Sequence, residues 1–210
     1  LIDFDEIPEE VARKAKLMVV SYPNNPTAAV APPEFYEKLI AFAKKYEILV
    51  LHDNAYSELV FDTEPGRSFL EYPGAREVGV EFNSLSKTYG LAGARVGFCI
   101  GNSEVVAQVA KLKSNMDYGM FIPVQKAAIA AITGDQTCVH ITRDAYRRRR
   151  DCLCDGCSAI GWKMERNHVC MGKDSERVFL FSGICDGTFT EGGCAGYSRR
   201  CVWQVRGGVR

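Results

Sequence analysis

The sequence predicts an α/β fold, a mostly parallel sheet flanked by helices; the incomplete smaller domain expected after it rests on the resemblance given below. Three observations carry the fold class. Short apolar runs recur at Met18-Val19-Val20, at Ile48-Leu49-Val50-Leu51 and, interrupted by Glu81, at Val78-Gly79-Val80-Glu81-Phe82. Continuous apolar strands belong to sheets covered on both faces, which are mostly parallel. Residues 34–45, opened by Pro32-Pro33 and closed by Lys44-Lys45, read as an amphipathic helix between the first two runs. Strand, helix and strand then alternate as in a βαβ unit. Each run also ends in polar residues: Ser21-Tyr22-Pro23-Asn24-Asn25-Pro26-Thr27, His52-Asp53-Asn54-Ala55-Tyr56 and Asn83-Ser84-Leu85-Ser86-Lys87. In parallel sheets ligands bind outside the carboxyl ends of the strands, so all three runs deliver polar groups to the end where a site forms.

The later elements follow in order. Val96-Gly97-Phe98-Cys99-Ile100 reads as a further strand. Residues 103–112 read as a helix with Ser103 as its cap and Glu104 in its first turn. Residues 115–121 form an irregular stretch containing Met116, Tyr118 and Met120, and the apolar, Ala-rich residues 123–132 a helix. A long charged helix over 137–157 leads toward the smaller domain.

The chemistry concentrates at Asn83-Ser84-Leu85-Ser86-Lys87-Thr88-Tyr89-Gly90, with Arg95 eight residues past the lysine. A lysine between hydroxyls and followed by glycines fits a Schiff-base site for an aldehyde cofactor. The amine is the nucleophile, hydroxyls and arginine can hold a phosphate, and glycines let backbone approach a ring. Each residue alone has a blander reading. The lysine run is then a strand end with a Gly-rich turn, Asp53 a cap, Tyr56 a core-edge aromatic and Arg95 half of a surface ion pair. Their joint placement favours the cofactor.

The order Asn25-Pro26-Thr27, then Asp53-Asn54-Ala55-Tyr56, then Ser84-Leu85-Ser86-Lys87 with Arg95 closely resembles the class I/II aminotransferases, pyridoxal-phosphate enzymes of fold type I. The resemblance covers about residues 1–165, and its texture is similar to the LL-diaminopimelate and alanine aminotransferase branch. It implies that Lys87 forms the internal aldimine with pyridoxal 5′-phosphate and later moves the proton at the substrate α-carbon. Asp53 would pair with the pyridinium nitrogen, Tyr56 and Asn25 with the phenolic oxygen, and Ser84 and Arg95 with the phosphate. A carboxylate at the ring nitrogen makes the ring an electron sink. Donors on the phenolic oxygen favour its ionised form and leave Lys87 available as a base near neutral pH. The implied reaction moves an amino group between an amino acid and a 2-oxo acid, in a cytoplasmic homodimer. A carbon–sulfur lyase of the same fold and an inactive truncated product are the alternatives. Residues 1–135 would be part of the cofactor-binding large domain, 136–165 the start of the small domain, and 166–210 an out-of-frame or disordered tail. One position departs from the family: Ala28 stands where glycine usually follows Asn-Pro-Thr. Alanine should be tolerated there unless the backbone needs a positive φ.

Composition bounds the other classes. Lys plus Arg equals Asp plus Glu at 26 each, so the formal net charge is zero. The run Arg147-Arg148-Arg149-Arg150 therefore reads as a solvated helix face, partly paired with Asp144 and Asp151, and not as a nucleic-acid surface. The sequence shows no long apolar run and no membrane partner is expected. Eight of the nine cysteines fall at or after Cys138, but Cys152-x-Cys154-x-x-Cys157 has the wrong spacing for a paired zinc site, even with His168 and Cys170 nearby. Helical and strand periodicity stops near Glu165. Reading the back-translated tail one nucleotide later permits Met-Phe-Val-Trp-Ala-Lys from residue 168 and Phe-Gly-Lys-Tyr-Gly-Glu-Gly-Tyr-Val from residue 202, both similar to the family's small domain. The expectation is a fragment that begins mid-protein at Leu1, slips frame near Glu165, and ends in an Arg210 that is not the family's substrate-carboxylate arginine.

Overall fold

A computed structural model describes residues 1–61, 66–159, 171–174 and 177–180. After a short helix α1 (Glu9–Lys14), which the sequence reading did not assign, the chain enters β1 (Leu17–Ser21), α2 (Pro33–Tyr46) and β2 (Leu49–Asp53). Helix α3 (Ala75–Val78) leads into β3 (Gly79–Ser84), α4 (Leu85–Thr88) and β4 (Gly97–Gly101). Three longer helices follow: α5 (Ser103–Met116), α6 (Ile122–Thr133) and α7 (Thr137–Ala159). Strands β5 (Met171–Asp174) and β6 (Arg177–Leu180) form an antiparallel pair.

The main sheet has the order β1-β2-β3-β4. Its first two pairings are parallel and the third is antiparallel, so the sheet is mixed and mostly parallel. Helix α2 is the crossover from β1 to β2. It buries Phe35, Tyr36, Leu39, Ile40 and Ala43, one stripe at helical spacing, and stops at Glu47 in the left-handed region (φ 55°). That stripe packs with Val20, Tyr22, Val50, Phe69 and Tyr72 into the main core. Leu39 is fully buried, so truncating it to alanine removes about 2–5 kcal/mol. A smaller cluster of Leu85, Val96 and Ala128 joins α6 to the lysine turn.

The other face of the sheet is barer. Leu17 and Val19 stand in register with Leu49 and Leu51 and therefore share their face. Val19 is 60% exposed.

Several boundaries differ from the sequence reading. Val78 closes α3 and β3 starts at Gly79, where an added Cβ would lie 2.7 Å from the Val50 carbonyl oxygen. Helix α5 is capped by Asn102, whose Oδ1 accepts from the Glu104 and Val105 amides; Ser103 is already helical. The helix also continues to Met116, which shortens the irregular stretch after it. The arginine run is not wholly a solvated face. Arg147 pairs with Asp144 at 3.2 Å and stays partly exposed, but Arg150 is 4% exposed, bonds Asp151 at 2.7 Å and stacks 5.0 Å from the Phe61 ring centroid. A guanidinium keeps its charge when it is buried against a ring and a carboxylate together.

No helix among the described residues is long and apolar enough to cross a membrane. The junction at Glu165, the side chains of Cys157, His168 and Cys170, and Arg210 lie outside the described residues.

Candidate functional site

The site gathers at the carboxyl ends of β1, β2 and β3. After β1, Asn24 closes a tight loop: its side-chain oxygen accepts from the Thr27 amide (3.2 Å) and hydroxyl (2.7 Å), and its carbonyl from the Ala28 amide (2.8 Å). This turns Ala28 to a positive φ of 58° and buries its methyl. The departure from glycine thus falls where the backbone does favour glycine. Asn25, held by the same loop, donates from Nδ2 to the Tyr56 hydroxyl at 3.1 Å.

Tyr56 follows β2 and opens a 3₁₀ turn, Ser57–Leu59, pinned by buried Leu59. Asp53 ends β2 with an exposed side chain, in register with Ser21 and Phe82. The Asn54 amide donates to the Phe82 carbonyl at 2.9 Å and carries the β2–β3 pairing one residue past Asp53.

Lys87 lies on α4, which packs against the Tyr56 turn. Ser84 caps that helix by accepting from the Ser86 amide at 3.1 Å, and Leu85 anchors it in the second core. Lys87 Nζ then stands 5.5 Å from the Tyr56 ring centroid. Lysine, tyrosine and asparagine from three separate segments therefore share one locus. Ser84 and Arg95 are held within their own turns: Arg95 has φ 54° and donates to the Ala92 carbonyl at 3.1 Å. Gly90, at φ +65°, and Gly93 have no heavy atom within 4 Å of where a Cβ would stand, so the loop after Lys87 is open. Chemically, an amine beside a phenol and an amide, with an open glycine loop following, fits an aldehyde-bearing, phosphorylated ring; the Asp53 carboxylate, at the end of β2, makes no hydrogen bond or ion pair with these three groups.

Beneath these residues lies a buried polar network that the sequence reading missed. Glu81 is 1% exposed. Its carboxylate accepts from His52 Nδ1 (3.0 Å), Asn54 Nδ2 (3.2 Å), Asn83 Nδ2 (2.8 Å), Ser68 Oγ (3.0 Å) and the Phe69 amide (2.8 Å). Burial pushes its pKa up, but the hydrogen bonds from His52, Asn83 and Asn54, with the attraction of His52, outweigh that and hold it below the ordinary carboxylate value. The Tyr36 hydroxyl lies 3.4 Å from His52 Nε2; burial, then the neighbouring Tyr72, Glu81 and Tyr22, raise its pKa and keep it un-ionised. Asn54 Oδ1 is buried without a hydrogen-bond partner among the described residues. The register pair His52–Glu81 was the one signal available, and it needs the strand pairing to be seen.

The geometry agrees with what the chain resembles. The family model for aminotransferase class I and II matches residues 1–176. An LL-diaminopimelate aminotransferase from Syntrophobacter fumaroxidans is 52% identical over 161 residues, 77% of this chain and 42% of the relative. The glutamate-pyruvate aminotransferase AlaC of Escherichia coli is 49% identical over 152 residues, 72% of this chain and 37% of the relative. Substrate-bound BacF from Bacillus subtilis superposes with a TM-score of 0.79 at 41% identity, covering 82% of this chain and 45% of BacF. The chain spans about two fifths of the length of the curated relatives it matches. With a mostly parallel sheet whose strand ends converge on one lysine, the chain belongs to the class I and II aminotransferases and carries part of their fold.

Proposed function

We propose that the full-length protein is a pyridoxal-phosphate-dependent aminotransferase of amino-acid biosynthesis, moving an amino group between an amino acid and a 2-oxo acid. The observation that carries this is the meeting of Asn25, Tyr56 and Lys87, the first two bonded at 3.1 Å and the third 5.5 Å from the tyrosine ring. When bound, the cofactor would supply an electron sink for the substrate α-carbon. Lys87 would hold it through its amine and afterwards move a proton at that carbon. Asp53 would face the ring nitrogen, Tyr56 and Asn25 the phenolic oxygen, and Ser84 and Arg95 the phosphate. The last pair must leave their turn contacts to do so.

Relatives named for LL-diaminopimelate and for glutamate–pyruvate stand at nearly equal identity, 52% and 49%. The proposal therefore extends to transamination as a class. Those names favour it over the carbon–sulfur lyase alternative. A homodimeric assembly and a cytoplasmic location belong to the same proposal. So does the division into part of a cofactor-binding domain over 1–135, the start of a smaller domain over 136–165, and an out-of-frame or disordered tail over 166–210, although the family match runs on to residue 176.

Adding pyridoxal phosphate to the chain, reducing with borohydride and mapping peptides by mass spectrometry tests this. Label confined to Lys87 and lost in Lys87→Ala is the expected result. Scattered labelling of surface lysines would refute the site.

A further inference from the structure

We propose that Glu81 is a positioning residue of the cofactor site: its buried carboxylate ties the residue after Asp53 to the residue before Ser84, and so fixes Asp53 relative to the lysine turn. This rests on the cofactor reading above and goes beyond it, because Glu81 reaches none of the groups assigned there. The limbs of the network divide by direction. His52 and the Phe69 amide hold Oε2 from β2 and from the turn around Phe69, and the Ser68 hydroxyl lies 3.0 Å from both oxygens. Asn54 and Asn83 hold the carboxylate from the strand ends that carry Asp53 and Ser84.

A carboxylate has about four lone-pair positions, so five donors saturate it and leave little freedom to rotate. Charge-assisted bonds to an ionised carboxylate are stronger and more directional than neutral ones. A buried charge is a poor way to gain stability, since well-packed apolar groups often do as well. What the network supplies is geometry: two neighbouring strand ends locked to one point. Parallel β2 and β3 join through 25 intervening residues, from Asn54 to Val78, so chain connectivity alone does not fix their ends.

The test compares the wild-type chain with Asn83→Ala, Leu39→Ala and Glu81→Gln. Asn83→Ala cuts a limb at the site, and Leu39→Ala loosens the main core while removing no hydrogen bond of the network. Three quantities are read: thermal midpoint without cofactor, affinity for added pyridoxal phosphate, and the pH midpoint of the visible absorbance that Lys87→Ala abolishes. Asn83→Ala and Glu81→Gln should weaken affinity about tenfold and move the pH midpoint by about half a unit. Leu39→Ala should lower the thermal midpoint and move neither. Should Glu81→Gln fail to fold, Asn83→Ala decides. Equal effects of Asn83→Ala and Leu39→Ala on affinity and pH midpoint, or no effect of Asn83→Ala, overturn the proposal and leave Glu81 a core residue. A wild-type absorbance insensitive to Lys87→Ala overturns the cofactor reading first, and this role with it.

Discussion

Ala28 shows how three small terms decide whether a substitution is tolerated. Its left-handed backbone (φ 58°) costs an alanine about 1–2 kcal/mol. Against that, its buried methyl contributes about 0.8 kcal/mol, and alanine loses less chain entropy than glycine by about 0.5–1 kcal/mol. The terms nearly cancel. Ala28→Gly should therefore change the denaturant midpoint little, whereas Ala28→Val should cost at least about 2 kcal/mol through strain and overpacking. Equal stability of the glycine and valine variants in urea titrations would remove the strain from this account. At this scale the sequence was readable where residue type is tied to chemistry. Asn25, Tyr56 and Lys87 were named from their motifs and meet in space. Glu81 was not legible, because a lone glutamate inside Val80-Glu81-Phe82 looks like a strand's polar face until His52 is found opposite it.

Elements were legible where apolar periodicity is long and blurred where one cap decides. Helices α2, α6 and α7 fall close to their expected places, since each carries a clear start signal or a long run. The start of α5 was misread by one residue: Asn102 and Ser103 are both good caps, and Asn102 alone has the geometry. Asn102→Ala should cost about 1 kcal/mol in a urea titration, while Ser103→Ala should stay within about 0.5 kcal/mol; the reverse ranking would restore the sequence assignment. The β2–β3 pair adds a pH signature. Glu81 has a folded pKa below its ordinary value of 4.5, so its stabilisation is fully present above that value. It fades as pH falls through the lower folded value. Melting curves between about pH 7 and pH 3 should show the loss in the acid limb. Glu81→Gln should melt lower at neutral pH and show a flatter acid limb. Parallel curves for the two proteins would mean that Glu81 is not ionised in the fold.

Across the whole molecule, the α/β class followed from strand–helix–strand alternation, and the family from three motifs in order. What stayed hidden depends on contacts between distant segments: the burial of Arg150 against Phe61, and the bond from the Tyr89 hydroxyl to Gln136 (2.8 Å), which ties the lysine turn to the entrance of α7. No local pattern announces such contacts. The sheet order also leaves β1 at one margin, and among the described residues nothing bonds to its outer side. Its outer amides and carbonyls, next to exposed Leu17 and Val19, form a ready template for a stranger's strand. Concentrated solutions of this chain by itself should accumulate thioflavin-positive aggregates, and Val19→Lys should suppress them with a stability change within about 0.5 kcal/mol. Unchanged aggregation in the lysine variant would point to another surface. In this chain, the strand that leads to Asn25 is thus also where one copy would first adhere to the next.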